Sequence, residues 1–141
     1  TSPKDGRMMI AASPDYKYTV ETSVTLGKGN EAGLMLFYRQ NAFVGVTCSK
    51  DVITIHKSAT SKDEILNKFG ESLHLRLENK GKTLTMSASK DGKEWVVIYE
   101  NLDISNMHHN KLGDFISLRP ALCSIGEGEA KFHEFIYKPI K

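Results

Sequence analysis

The sequence is poor in the features that announce most functions. Two cysteines among 141 residues cannot form a disulfide framework, and neither has a second Cys or His at the spacing a zinc site needs. The 19 basic and 17 acidic side chains leave a net charge of only +2, so there is no basic footprint for nucleic acid or for an anionic membrane surface. No apolar run approaches the ~18 residues of a membrane span, and no signal peptide opens the chain. Nor is there a G-x-S-x-G elbow, an H-E-x-x-H pair or a Walker-type loop. Residues 1–6 read as a cut made inside a longer protein, so a missing targeting signal carries no information about compartment.

What remains is a balance of 40% hydrophobic and 26% charged residues, the composition of a globular domain. The length suits one domain, expected to span residues 1–141, with enough chain to bury a core without staples. Cys48 and Cys123 stand among apolar neighbours and read as buried thiols, a long-loop disulfide being the alternative in an exported protein.

The patterning has period two. Tyr18, Val20, Val24 and Leu26 alternate with polar residues, Thr22 being the weak position. Leu73, Leu75 and Leu77 do the same, as do Leu84, Met86 and Ala88. Successive side chains of a strand point to opposite faces, so each run predicts a strand with one buried face. The denser runs 33–38, 43–46 and 95–99 predict strands covered on both sides.

Asn79-Lys80-Gly81 and Asp91-Gly92 supply tight hairpin turns; residues 39–41 and 50–51 read as two more. Turn signals every 8 to 12 residues predict an all-β, antiparallel two-sheet sandwich or barrel. The one helix-like stretch, residues 59–69 with Ser61 and Glu64 as a capping pair, is short and predicts a turn or brief strand. Gly27-Lys28-Gly29-Asn30 joins two strands and opens no helix, so it reads as a flexible hairpin and not as a phosphate cradle. Residues 101–113 and 124–129 look loop-like. In the last strand the step from Phe132 to Phe135 breaks the alternation and predicts a β-bulge near His133-Glu134.

Few residues stand out as chemical. The acids fall mostly in turns, such as Asp51, Asp63 and Asp91; Asp114 beside Phe115 is the one in an apolar setting, and an active site built on Asp103 or Asp114 is the enzyme hypothesis to test. His108-His109-Asn110 is a poor chelate, because adjacent side chains on extended backbone diverge, but it fits a loop touching a partner or ligand. Arg119, at the end of an apolar strand, can pin loop carbonyls or grip an anion. Tyr38, Trp95 and Phe115 are among the aromatics that could stack on a sugar face, against the commoner role of core. No Asp-rich loop has calcium-ligand spacing.

The order of these pieces resembles one family. Glu31-Ala32-Gly33-Leu34, followed by Phe37-Tyr38 and Ala42-Phe43-Val44-Gly45-Val46, is similar to the hairpin of the C-terminal β-sandwich of bacterial glycoside hydrolase family 43 enzymes. The Asp91-Gly92 turn with Trp95, then His108-His109-Asn110, Leu118-Arg119-Pro120 and the closing Phe132, Phe135 and Tyr137 follow in the family's order, over about residues 8 to 138. The resemblance implies a concanavalin A-like jelly roll. It implies as partners a catalytic five-bladed propeller in the same parent chain, acting on β-xylosides or α-L-arabinofuranosides, and a plant cell-wall polysaccharide. The fragment would then be a non-catalytic accessory module with no cofactor of its own, although a structural calcium, known in related jelly rolls, stays open. His108, His109, Asn110, Arg119, Phe115 and Tyr38 are the residues the resemblance and the pattern nominate for the sugar or the domain interface. A secreted or periplasmic location is implied as well. An independent xylan-binding module and a purely structural domain are the alternatives.

Overall fold

The computed structural model describes residues 7–10, 17–39, 42–58, 60–104, 119–126 and 130–140. Among them there are eleven strands and no helix: β1 (Arg7–Ile10), β2 (Tyr18–Thr25), β3 (Asn30–Arg39), β4 (Ala42–Cys48), β5 (Val52–His56), β6 (Lys62–Leu66), β7 (Ser72–Asn79), β8 (Thr83–Ser89), β9 (Val96–Asp103), β10 (Arg119–Gly126) and β11 (Lys131–Pro139). They form two antiparallel sheets, one in the order β1-β10-β3-β4-β5-β6 and the other β11-β2-β7-β8-β9. The two-sheet sandwich expected from the alternation is what the chain builds.

The inner faces meet in one apolar core. Val20 and Val24 of β2, Leu73, Leu75 and Leu77 of β7 and Leu84, Met86 and Ala88 of β8 pack against Leu34, Leu36, Val44, Val46, Ile53 and Ile55 of the opposite sheet. Each side chain of this size stabilises the fold by ~1.5–3 kcal/mol through the water it leaves. Thr22, the polar residue in the series of β2, also points inward and is buried. Its hydroxyl donates to the Glu134 carbonyl at 2.6 Å. That carbonyl lies where the β11 register slips between Phe132 and Glu134, at the expected bulge. Thr22 thus supplies the donor that the broken ladder leaves wanting.

The hairpin turns fall where the glycines put them: Gly81 (φ 95°) between β7 and β8, and Gly92 (φ 80°) between β8 and β9. At the second, Asp91 Oδ1 accepts from the Lys93 and Glu94 amides at 2.8 and 3.0 Å. These bonds favour the charged carboxylate, with the Glu94 amide the leading cause, and hold its pKa down to about 2.

Several expectations need correction. Residues 96–99 are not covered on both sides. β9 is an edge strand, and Val96 and Val97 are each 52% exposed. Residues 101–103 and 124–126 are strand rather than loop, continuing β9 and opening into the end of β10. The brief strand expected within the 59–69 stretch is borne out, as the exposed edge strand β6 (Lys62–Leu66). Gly27-Lys28-Gly29 does not close a hairpin; it carries the chain from one sheet to the other, since β2 and β3 belong to different sheets.

Candidate functional site

A strand buried on both faces must place some side chains outside the shared core. In β3, β4 and β10 the register puts Met35, Phe43, Ala121, Cys123 and Ile125 on the outer face of the six-stranded sheet, where they are buried as a second cluster with Phe37 at its margin. Phe37 and Phe43 stack across the β3–β4 pair, 6.4 Å between centroids and 14° between planes.

The two cysteines fall on opposite sides of this sheet. Cys48 lies opposite Ala32 and joins the core, whereas Cys123 lies opposite Gly33, the next residue of β3, and joins the outer cluster. They also sit two strands apart, ~10 Å, beyond the reach of a disulfide. Both are free and buried. Burial, with the Glu31 carboxylate adding to it, pushes each thiol up to about 12.

Glycines at 33 and 45 make the hairpin possible. A Cβ on Gly33 would land on the Val46 carbonyl, and one on Gly45 (φ 148°) would sit 2.5 Å from the Leu34 carbonyl. The A-G-L and V-G-V steps of the sequence are therefore places where two backbones approach too closely for any side chain.

Beside these glycines the outer face holds a buried polar relay. Thr47 Oγ1 donates to Glu31 Oε1 at 2.6 Å and stands 2.8 Å from His56 Nε2. The threonine proton is committed to the carboxylate, so His56 Nε2 must carry hydrogen and donate to Thr47 Oγ1, which leaves Nδ1 as the acceptor. His56 is 5% exposed, lies 6.3 Å from the Phe43 ring and pairs across β5–β6 with Lys62. Burial first, and then the Lys62 charge, lowers its pKa to about 4. It is a neutral hydrogen-bonding histidine at pH 7.

Arg119 opens β10 directly opposite Phe37. Its Nε is buried and has no hydrogen-bond partner among the described residues. Tyr38 is the extra residue of a β-bulge, because the β3–β4 register steps from Phe37 to Arg39. The fold thus brings two of the nominated positions, Arg119 and Tyr38, to the same end of one sheet. His108, His109, Asn110 and Phe115 lie outside the described residues, as does Asp114. Asp103 is exposed on β9. Trp95 belongs neither to the core nor to this face. It precedes β9, with the Arg76 guanidinium 3.9 Å from its centroid and the His74 ring edge-on at 6.3 Å.

The relay itself was missed by sequence reasoning. The only signal is that Thr47 directly follows the dense run 43–46 and that His56 closes the largely apolar stretch 52–55. No group of three or more metal-ligating side chains occurs among the described residues.

The family model of the β-xylosidase C-terminal concanavalin A-like domain matches residues 5–138. Among solved structures, xylan β-1,4-xylosidase from Bacillus halodurans superposes with a TM-score of 0.77 at 17% identity, over 98% of this chain and 31% of that one. The GH43 BlXynB protein from Bacillus licheniformis gives 0.75 at 14% identity, over 95% and 30%. A bifunctional GH43-CE protein from Bacteroides eggerthii gives 0.71 at 21%, over 96% and 20%. The chain spans about a third or less of these proteins, and the likeness at such identities is one of fold. No curated protein sequence matches it.

Proposed function

The chain belongs to the family of β-xylosidase C-terminal concanavalin A-like domains of GH43 enzymes, and on that premise we propose that it is the non-catalytic accessory module of a xylan- or arabinan-degrading glycosidase. The observation that carries this reading is the family match over residues 5–138, in a chain equal to about 30% of the xylosidases it superposes on. The larger remainder of such an enzyme holds the catalytic domain, and the module packs beside it. The docking surface we favour is the Phe37–Arg119 end of the six-stranded sheet, where a guanidinium nitrogen with no partner among the described residues lies near a bulged strand and a stacked aromatic pair. Arg119 Nε has no hydrogen-bond partner among the described residues, and a guanidinium at the end of a strand can meet a carboxylate or carbonyl across an interdomain contact. The parent enzyme is proposed to be secreted or periplasmic.

The test uses the 141-residue chain against aryl β-xyloside and aryl α-L-arabinofuranoside. Rates at background are expected. Turnover that scales with protein concentration and disappears in Asp103→Asn would overturn the accessory reading. In the parent enzyme, Arg119→Ala is expected to lower the melting temperature more than it does in the isolated module; an equal drop in both removes Arg119 from the interface.

A further inference from the structure

The two sheets do not close at the end where β2 passes to β3. A cleft of about 710 Å³ opens there, lined by Leu26, residues 27–29, Asn30, Glu31, Ser49, Lys50, Asp51, Glu71, Ile125 and Gly126. Its size lies in the ~300–1,000 Å³ range of small-molecule sites. The five-stranded sheet's side contributes Leu26 and, beside it, Glu71; residues 27–29 are the crossover, and the six-stranded sheet with its β4–β5 turn contributes the rest. None of the six nominated residues is part of it.

Its chemistry narrows the occupant. Leu26 of the shared core and Ile125 of the outer cluster are both buried and give the cleft apolar lining at the sheet end. Around them stand the carboxylates of Asp51 and Glu71, the ammonium groups of Lys28 and Lys50 and the hydroxyl of Ser49, while the Glu31 carboxylate is held by Thr47 on the outer face. Lys50 and Glu71 approach to 3.7 Å, so donors and acceptors of both signs sit side by side. A phosphate would face the carboxylates of Asp51 and Glu71, and a divalent cation would face two ammonium groups without a set of three ligating side chains among the described residues. A neutral molecule with several hydroxyls can satisfy both kinds of group at once, since each hydroxyl donates and accepts.

A second observation points the same way. Asn30 is 3% exposed, and its Nδ2 is tied to β10 through Ser124 Oγ at 3.0 Å and the Ile125 carbonyl at 3.2 Å. The other branch of the amide, Oδ1, is buried with no hydrogen-bond partner among the described residues. Buried acceptors in folded proteins are paired, and one beside a polar cleft that has no donor among the described residues is an acceptor an occupant can satisfy, directly or through one ordered water. Because Nδ2 is already held by two acceptors, the amide cannot flip to relieve Oδ1.

We propose that this cleft binds a small uncharged polyhydroxylated ligand, a pentose or the terminal residue of a pentose chain, with Asn30, Asp51 and Lys50 as its polar contacts. The pentose class rests on the accessory reading above; the polyol class rests on the cleft alone. Backbone and Asn30 side-chain amide resonances of the 141-residue chain would be followed while xylose, arabinose or xylobiose is added to about 50 mM, the concentration weak hydrogen-bonded binding requires. Saturable shifts are expected at Gly27, Gly29, Gly126 and the Asn30 side chain. In Lys50→Ala and Asp51→Ala, whose side chains are at the surface, Kd should rise at least fivefold with no change in melting temperature. Saturation by xylobiose but not by the free pentoses identifies a chain end, and the reverse a free sugar. No saturation with any of the three, or shifts gathered around Phe37 and Arg119 instead, overturns the proposal. Neither of those results touches the accessory reading, which stands on the turnover and melting tests.

Discussion

Acidification should destabilise this sandwich through one histidine. His56 is buried on the outer face with its Nε2 hydrogen given to Thr47, Lys62 paired beside it, Gly45 on its other flank and the tilted Phe43 ring 6.3 Å away. Glu31 reaches it only through Thr47. Its pKa is 6.5 in an unfolded chain and about 4 in the fold. The unfolded chain therefore takes up the proton first as pH falls, so stability is complete above about 6.5 and declines until the folded histidine also titrates. The gap between those two values is worth about 3 kcal/mol in full, of which about 2 is lost by pH 5. For 141 residues a loss of ~2 kcal/mol lowers the melting temperature by roughly 6–8 °C. Asp91 acts in a separate window: its depressed pKa contributes stability that persists above 3.8 and disappears as pH falls toward about 2. The assay is thermal unfolding of the native chain and His56→Gln between pH 7.5 and 4.5. Gln keeps a donor for Thr47 and cannot be charged. The native chain should lose its advantage over the variant as pH falls, by roughly 2 kcal/mol at pH 5. Parallel pH profiles for the two proteins would refute the assignment, as would an imidazole spectrum showing hydrogen on Nδ1 at pH 7.

Other consequences follow from the same packing. Gly33→Ala or Gly45→Ala drives a methyl group into the neighbouring strand's backbone and should cost about 3 kcal/mol or more, read as a lower denaturant midpoint. Thr22→Val removes the donor to Glu134 while keeping the shape, and should cost ~1–3 kcal/mol; a neutral outcome would mean that the bulge carbonyl finds another donor. Both thiols, held at about 12, should ignore an aromatic disulfide reagent at pH 8 in the native state and react as two equivalents in denaturant. A disulfide-linked fraction in the folded protein would contradict their placement on opposite faces.

Much of the fold was legible because alternation is local. Whether a residue such as Leu75 faces in or out is set by its own strand, and the turn glycines Gly81 and Gly92 announce where the chain doubles back. Which sheet a strand joins is not local. Gly27-Lys28-Gly29 has the composition of a hairpin, yet it crosses between sheets, because β2 finds its partners in β7 and β11 and β3 finds its own in β4 and β10. Position within a sheet is equally long-range. The run at 95–99 is as apolar as a central strand, yet Val96 and Val97 are exposed, and among the described residues β8 is the one strand that pairs with β9.

The candidate site depends on both kinds of information. Thr47 and His56 each look like a polar residue at the end of an apolar run, and nothing in either run says that the two meet. They meet because the β4–β5 pairing puts Thr47 opposite Thr54 and Gly45 opposite His56, while the β3–β4 pairing puts Gly33 opposite Thr47. Absent side chains at Gly33 and Gly45 leave room on that face for a threonine hydroxyl to bridge from Glu31 to His56. The glycines that mark the hairpin in the sequence and the polar relay that the sequence hides are thus two results of one close approach between β3 and β4. A substitution that widens that approach should disturb the relay even where it leaves the apolar core between the sheets untouched.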